Sequence, residues 1–131
     1  ELKALVEATA PTLITRFGIG THTAAQFLIT AAANIDRIPT DAAFARLCGA
    51  APVPVSSGKT HRMRLHRGGD RRANRALHII IIGRFKNHAP TKAYLAKKLA
   101  AGHSKRDTIR ALKRYVAREV FHALKTDLTP A

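Results

Sequence analysis

Between Ser104 and Leu128 the chain places Ile109, Leu112, Val116, Val120 and Leu124 at three- and four-residue steps, with no proline or glycine among them. That spacing collects all five side chains on one side of an α-helix, whereas a strand would scatter them over both faces. Ser104, followed by Asp107 three residues on, supplies a capping-box-like start. The spacing therefore predicts a long terminal helix with one apolar stripe, and a domain built to cover it.

The rest of the chain reads in the same way. Leu2, Leu5 and Val6 give Glu1–Thr9 a helical pattern. Pro11 opens a further helical turn with Leu13, Ile14 and Phe17 on its apolar side, and Gly18-Ile19-Gly20 joins it to Thr21–Ala33, where Ala24, Phe27, Leu28 and Ala31 repeat at helical steps. Residues 11–33 thus resemble two short helices joined by a tight turn. A loop follows over Asn34–Pro39. Thr40 is placed to cap a helix over Asp41–Cys48 that Gly49 ends.

Ala50–Gly69 breaks the pattern: Pro52 and Pro54 favour extended backbone, Ser56-Ser57-Gly58 makes a turn, and Lys59–Arg67 alternates weakly. A short extended or hairpin insertion is expected there. Asp70 is a plausible N-cap for Arg71–Asn87. Its run Ile79–Ile82 fits a buried strand by pattern alone, but the helical lead-in Arg71–Leu77 and the lack of a turn signal favour helix. Pro90 starts another helix that Gly102 ends. The expected architecture is a single all-α domain over residues 1–131, with basic helices across 70–128.

The charge is distributed unevenly. Lys and Arg total 23 against eight Asp and Glu, a net +15. Residues 1–58 hold four of each sign, whereas residues 59–131 hold 19 basic and four acidic ones, so the whole excess lies in the second part. Such a concentration repels itself and calls for a polyanion. Nucleic acid is favoured over a membrane surface, because aromatic anchors are few (5%, no Trp) and no apolar run approaches the ~18 residues of a spanning helix. Cys48 is the single cysteine, which excludes an internal disulfide and a cysteine-pair zinc site. The N-terminus lacks a signal-peptide pattern. It begins with Glu1, and Met63 is the sole methionine, so a piece of a longer protein with no secretion signal is expected.

Two stretches carry residues suited to chemistry. Gly18 and Gly20 bracket an apolar residue ahead of a helix, a helix-hairpin-helix-like arrangement whose amides suit a DNA phosphate; an ordinary packed turn is the alternative. Ser57, next to Gly58 and followed by Lys59, His61, Arg62, Arg64, His66, Arg67, Arg71, Arg72 and Arg75, has what attack on a phosphodiester needs: a mobile hydroxyl, and cations to offset charge on the phosphate oxygens. A turn serine ahead of a phosphate-gripping basic stretch is the plainer alternative. No Walker-type glycine precedes Gly58. His61 and His66 sit among arginines that repel a metal cation. Cys48 reads as a small buried apolar group, and Phe85, Tyr94, Tyr115 and Phe121 as core residues. Arg106, Arg110, Lys113, Arg114 and Arg118 flank the apolar stripe of the last helix and suit backbone phosphate contact.

Taken in order, Gly18-Ile19-Gly20, Phe44-Ala45-Arg46-Leu47-Cys48-Gly49, Pro54, Ser57-Gly58-Lys59 and Arg67-Gly68-Gly69-Asp70-Arg71-Arg72-Ala73-Asn74-Arg75-Ala76-Leu77 resemble the C-terminal transposase domain of the DEDD-type insertion-sequence transposases, the insertion sequence one-hundred-and-ten family of bridge-RNA-guided recombinases. The likeness runs from about Pro11 to Leu128. It implies that Ser57 is a nucleophile in DNA recombination, that Ser56 is a bystander, and that Lys59, Arg62, Arg64, Arg71, Arg72 and Arg75 line the DNA. It also implies an N-terminal RuvC-like domain absent from this chain, with four acids that bind magnesium, and as partners DNA, a guide RNA, that N-terminal domain and other protomers.

Asp70 departs from an acidic-metal role and is expected to cap a helix. The eight acids are scattered singly, with no Asp-x-x-Asp spacing, so no metal site or cofactor is expected within this chain, and the chain alone is expected to bind DNA without cutting it. The rival reading is a non-catalytic helix-hairpin-helix module that binds RNA or DNA, of ribosomal type, with Ser57 a turn residue.

Overall fold

A computed structural model describes residues 1–51 and 70–129. Every regular element among them is helical: α1 Leu2–Thr9, a 3-10 turn Leu13–Thr15, α2 Thr21–Ala31, a second 3-10 turn Ala32–Arg37, α3 Asp41–Leu47, α4 Arg71–Asn87, α5 Ala89–Ala100 and α6 Lys105–Leu128. The all-α class is as the sequence predicts. Of the extended insertion expected over 50–69, residues 52–69 lie outside the described residues, and so do Ser57, Lys59, Arg62, Arg64 and Arg67.

The caps act where the sequence places them. Thr40 Oγ1 accepts from the Ala43 amide at 3.1 Å, Asp70 Oδ1 from the amides of Arg72 and Ala73 at 2.9 and 3.1 Å, and Ser104 Oγ from the Asp107 amide at 3.0 Å. Each satisfies a donor that a helix start leaves without an intrahelical partner. The isoleucine run is helical: Ile80 and Ile81 are fully buried while Ile79 is half exposed, as a helix turning through the core requires.

Three local expectations are corrected. The helix expected over 21–33 stops at Ala31 and passes into the Ala32–Arg37 3-10 turn, which fills much of the predicted loop. The helix expected after Pro11 is one 3-10 turn, because Arg16 swings into extended backbone (ψ 141°) directly after it. Tyr115, read as core, is exposed: it falls one residue off the apolar stripe, and its ring meets Tyr94 edge-on at the surface.

α4 and α6 lie side by side and run in the same sense, since Asn74 meets Lys113 at one end and Arg84 meets Glu119 further along. α5 returns between them in the chain. Leu77, Ile80 and Ile81 of α4 and Leu112, Val116, Val120 and Leu124 of α6 pack with Phe27 of α2 and Phe44 of α3 in one core. Full burial of each such side chain contributes ~1.5–3 kcal/mol. Asp127, near the end of α6, accepts the amides of Thr12 and Leu13 at 3.0–3.1 Å and ties the last helix to the N-terminal segment.

Candidate nucleic-acid interface

Residues 51 and 70 flank the stretch that carries Ser57, and both ends are held in one place. Gly49 reverses the chain after α3 with φ +70°, where an added Cβ would also lie 3.4 Å from Asn74 Nδ2. The Ala50 amide donates to the Ala45 carbonyl at 2.7 Å, and the Asp70 amide to the Leu47 carbonyl at 2.6 Å. Asn74 Nδ2 donates to the carbonyls of Cys48 (3.0 Å) and Gly49 (3.1 Å), while its Oδ1 accepts from Lys113 Nζ at 2.9 Å. One amide side chain thus joins α3, α4 and α6 at the root of residues 52–69.

Asp70 caps α4 and also accepts from Thr30 Oγ1 at 2.7 Å. Burial pushes its carboxyl up, but the Thr30 hydroxyl, the Ala73 and Arg72 amides and the Arg72 charge together hold it below the usual carboxylate range. Cys48 is fully buried; desolvation, with the Asp70 charge nearby, pushes its thiol up to about 12, so it packs as a neutral apolar group.

Arg71, Arg72 and Arg75 are exposed in the first turns of α4. That is the end where a helix carries partial positive charge; the Asp70 carboxylate offsets part of it, and the three cations add to it with no acid inside the first turn. On α6, Arg106, Arg110, Arg114 and Arg118 recur every four residues and all are exposed. The Asn74–Lys113 bond ties α4 to α6 at the residues directly before Arg75 and Arg114. Lys113 itself is partly buried, and desolvation with the neighbouring Arg110 charge depresses its ammonium. Arg110 has a loose pair with Asp107 at 3.8 Å, and Arg118 Nε a closer one with Asp41 at 3.1 Å.

Between α3 and α6 lies a cleft of about 410 Å³ whose lining includes Asp41, Arg46, Ala51, Arg114, Tyr115 and Arg118. Sequence reasoning did not single out Arg46, one of four cations in the net-neutral part of the chain, and read Tyr115 as core, although its offset from the stripe was the available signal.

The Gly18–Gly20 turn is elsewhere. Gly18 has φ +80°, and a Cβ there would lie 3.5 Å from Arg84 Cγ and 3.6 Å from the Ile80 carbonyl, so the turn rests on the later part of α4. At ~1.5 Å per residue, Arg84 lies ~18 Å along α4 from Arg72. The Ile19 amide donates to the Arg16 carbonyl at 3.1 Å and the Gly20 amide to Thr23 Oγ1 at 3.1 Å. These two N–H groups are therefore engaged within the turn.

Four of the eight acids are engaged in tertiary or capping contacts. Asp41 pairs with Arg118, Asp70 caps α4, Glu119 pairs with Arg84, and Asp127 holds the Thr12 and Leu13 amides. Among the described residues no three His, Cys, Asp or Glu side chains come together. No helix among them is long and apolar enough to cross a membrane.

The sequence profile of the family described as "Transposase IS116/IS110/IS902 family" matches residues 10–96, ending within α5 and leaving α6 beyond it. No curated protein and no solved structure matches the chain. With more than half of the chain matched, including the α3 and α4 caps, the two ends joined through Asn74 and the α4 arginines, the chain belongs to the transposase IS116/IS110/IS902 family.

Proposed function

We propose that this domain holds DNA on the arginines of α4 and α6 and supplies Ser57 as the nucleophile of a transposase whose metal-binding acids lie in another domain. Family membership gives the chain a part in transposition. The observation that supports the finer reading is the joining of Leu47 to Asp70 and of Cys48 and Gly49 to Asn74, which holds together the two ends of the Ser57-bearing stretch, one leading directly into Arg71 and Arg72 and the other, at Ala51, sharing the cleft lining with Arg114.

In the proposed step Ser57 Oγ attacks a DNA phosphorus and loses its proton. A phosphoserine ester forms, the bond from phosphorus to one sugar oxygen breaks, and that oxygen leaves as a hydroxyl. The exchange of one phosphodiester for another needs no oxidant or reductant. Guanidinium groups around the phosphate offset the charge that gathers on its oxygens in the transition state. The metal-binding acids are assigned to another domain, and the chain alone is expected to bind DNA without nicking it.

The test is Ser57→Ala in the full-length parent protein, with covalent protein–DNA adducts trapped on a denaturing gel. The adduct should vanish while DNA affinity stays near that of the parent. An undiminished adduct leaves the domain as a non-catalytic grip on nucleic acid.

A further inference from the structure

We infer that the cleft between α3 and α6 holds one unpaired nucleotide of the DNA strand, with the base on Tyr115 and the phosphate among Arg46, Arg114 and Arg118. The inference rests on the proposed DNA-handling role and extends it to a second, distinct contact.

The lining has the two halves of a nucleotide site. Three arginines against the single carboxylate of Asp41 leave it at +2 (three minus one). Asp41 also orients part of that charge: its Oδ2 takes Arg118 Nε at 3.1 Å and lies 3.4 Å from His122 Nε2. The Nε bond uses one of the five N–H donors an arginine carries, so the carboxylate fixes the guanidinium without consuming it. Beside this charge stands Tyr115, a residue 55% exposed. Tyr94 meets it edge-to-face, with ring centroids 6.1 Å apart at 88°, which sets the Tyr115 ring in one orientation without covering it. An exposed, pre-positioned ring next to guanidinium groups is the arrangement by which single strands are held, bases on aromatic faces and phosphates on cations.

Size and position narrow the ligand further. About 410 Å³ lies at the low end of small-ligand pockets, which run ~300–1,000 Å³. That suits one nucleotide and excludes a duplex from the cleft. A paired base, moreover, keeps its faces stacked in the helix and offers none to Tyr115. Ala51 is part of the lining, and Ser57 follows it by six residues (57 minus 51), a reach of at most ~20 Å of extended chain. A nucleotide in the cleft and the phosphodiester given to Ser57 can therefore belong to one strand. The cleft would hold that strand once its base pair has opened.

The experiment measures fluorescence anisotropy of the chain with labelled oligothymidylate, with its duplex on oligoadenylate, and with oligouridylate. Tyr115→Leu should weaken oligothymidylate binding by roughly 5- to 150-fold, the span expected for one lost stacking contact, and leave duplex binding unchanged. Tyr115→Phe should bind as the parent does, and Arg114→Ala should weaken the single strand more than Lys97→Ala, a cation on the exposed side of α5. A 2-aminopurine placed in the thymidylate strand should be quenched on binding to the unsubstituted chain, a readout independent of any variant's folding. Binding indifferent to Tyr115→Leu, equal losses from Tyr115→Leu on single strand and duplex, or an unquenched 2-aminopurine would overturn the cleft assignment alone. A loss confined to oligouridylate would overturn the choice of DNA. Absence of binding to all three probes by the unsubstituted chain would overturn the DNA-handling role and the cleft with it.

Discussion

Arg84 grips Glu119 with two parallel hydrogen bonds of 3.1 Å, while its Nε donates to the Phe17 carbonyl at 2.8 Å. The arginine is almost fully buried, so one side chain joins α4, α6 and the glycine turn from inside. Arg84→Met should cost about 2–4 kcal/mol in urea unfolding, because it leaves a partly buried carboxylate with only the loose partner Arg16 Nε at 3.8 Å and orphans a backbone acceptor. Arg84→Lys should recover little, since an ammonium lacks the planar fork. Adding Glu119→Leu to Arg84→Met should restore part of the loss. An Arg84→Met protein as stable as the parent would contradict this account.

Asn74 is a second joint of this kind. Asn74→Asp keeps the oxygen that accepts from Lys113 but sets a carboxylate oxygen against the carbonyls of Cys48 and Gly49. About 1–3 kcal/mol of stability should be lost at neutral pH, the cost of buried acceptors left without a donor. The deficit should ease on acidification, because a protonated carboxyl donates again. A deficit that does not change with pH would show that the amide donor is not what matters there.

Asp70 gives a pH dependence of known sign. Its carboxyl is held below the usual range, so its contribution is full above the ordinary value of 3.8 and is lost as pH falls through the lower folded value. Asp70→Asn retains a good capping residue but cannot titrate. The stability advantage of the parent over Asp70→Asn should therefore shrink below about pH 4. Thermal melts of the two proteins across acid pH decide it, and parallel curves would reject the role of the charge.

What was legible in the sequence follows from what is local. The caps at Thr40, Asp70 and Ser104 and the spacing of Leu112, Val116, Val120 and Leu124 depend on neighbours within a few residues, and they stand in the structure as read. The joints were not legible. Arg84 and Lys113 look like two more surface cations, and only the approach of α4 to α6 makes one a buried anchor and the other a link to Asn74. Arg46 likewise becomes part of a cationic cleft only when α3 packs on α6. The residue read as nucleophile, Ser57, falls outside the described residues; what the fold shows of its surroundings is the joined pair of ends.

The distinction between anchoring and free cations predicts how salt should act. If Arg71, Arg72, Arg75, Arg106, Arg110 and Arg114 each neutralise one phosphate, duplex affinity should fall by ~10³ between ~50 and ~200 mM salt, with a log–log slope near −5. Replacing Arg72 or Arg114 by alanine should reduce the magnitude of that slope by about one in each case. Replacing Arg84 should leave the slope alone, because its charge is spent on Glu119 inside the core. Asp107→Asn should tighten binding, since it removes the acid 3.8 Å from Arg110 without touching any cation. Titrations at several salt concentrations read all four effects, and a slope that changes as much for Arg84 as for Arg72 would mean that the charge is held diffusely and not by this face of α4 and α6.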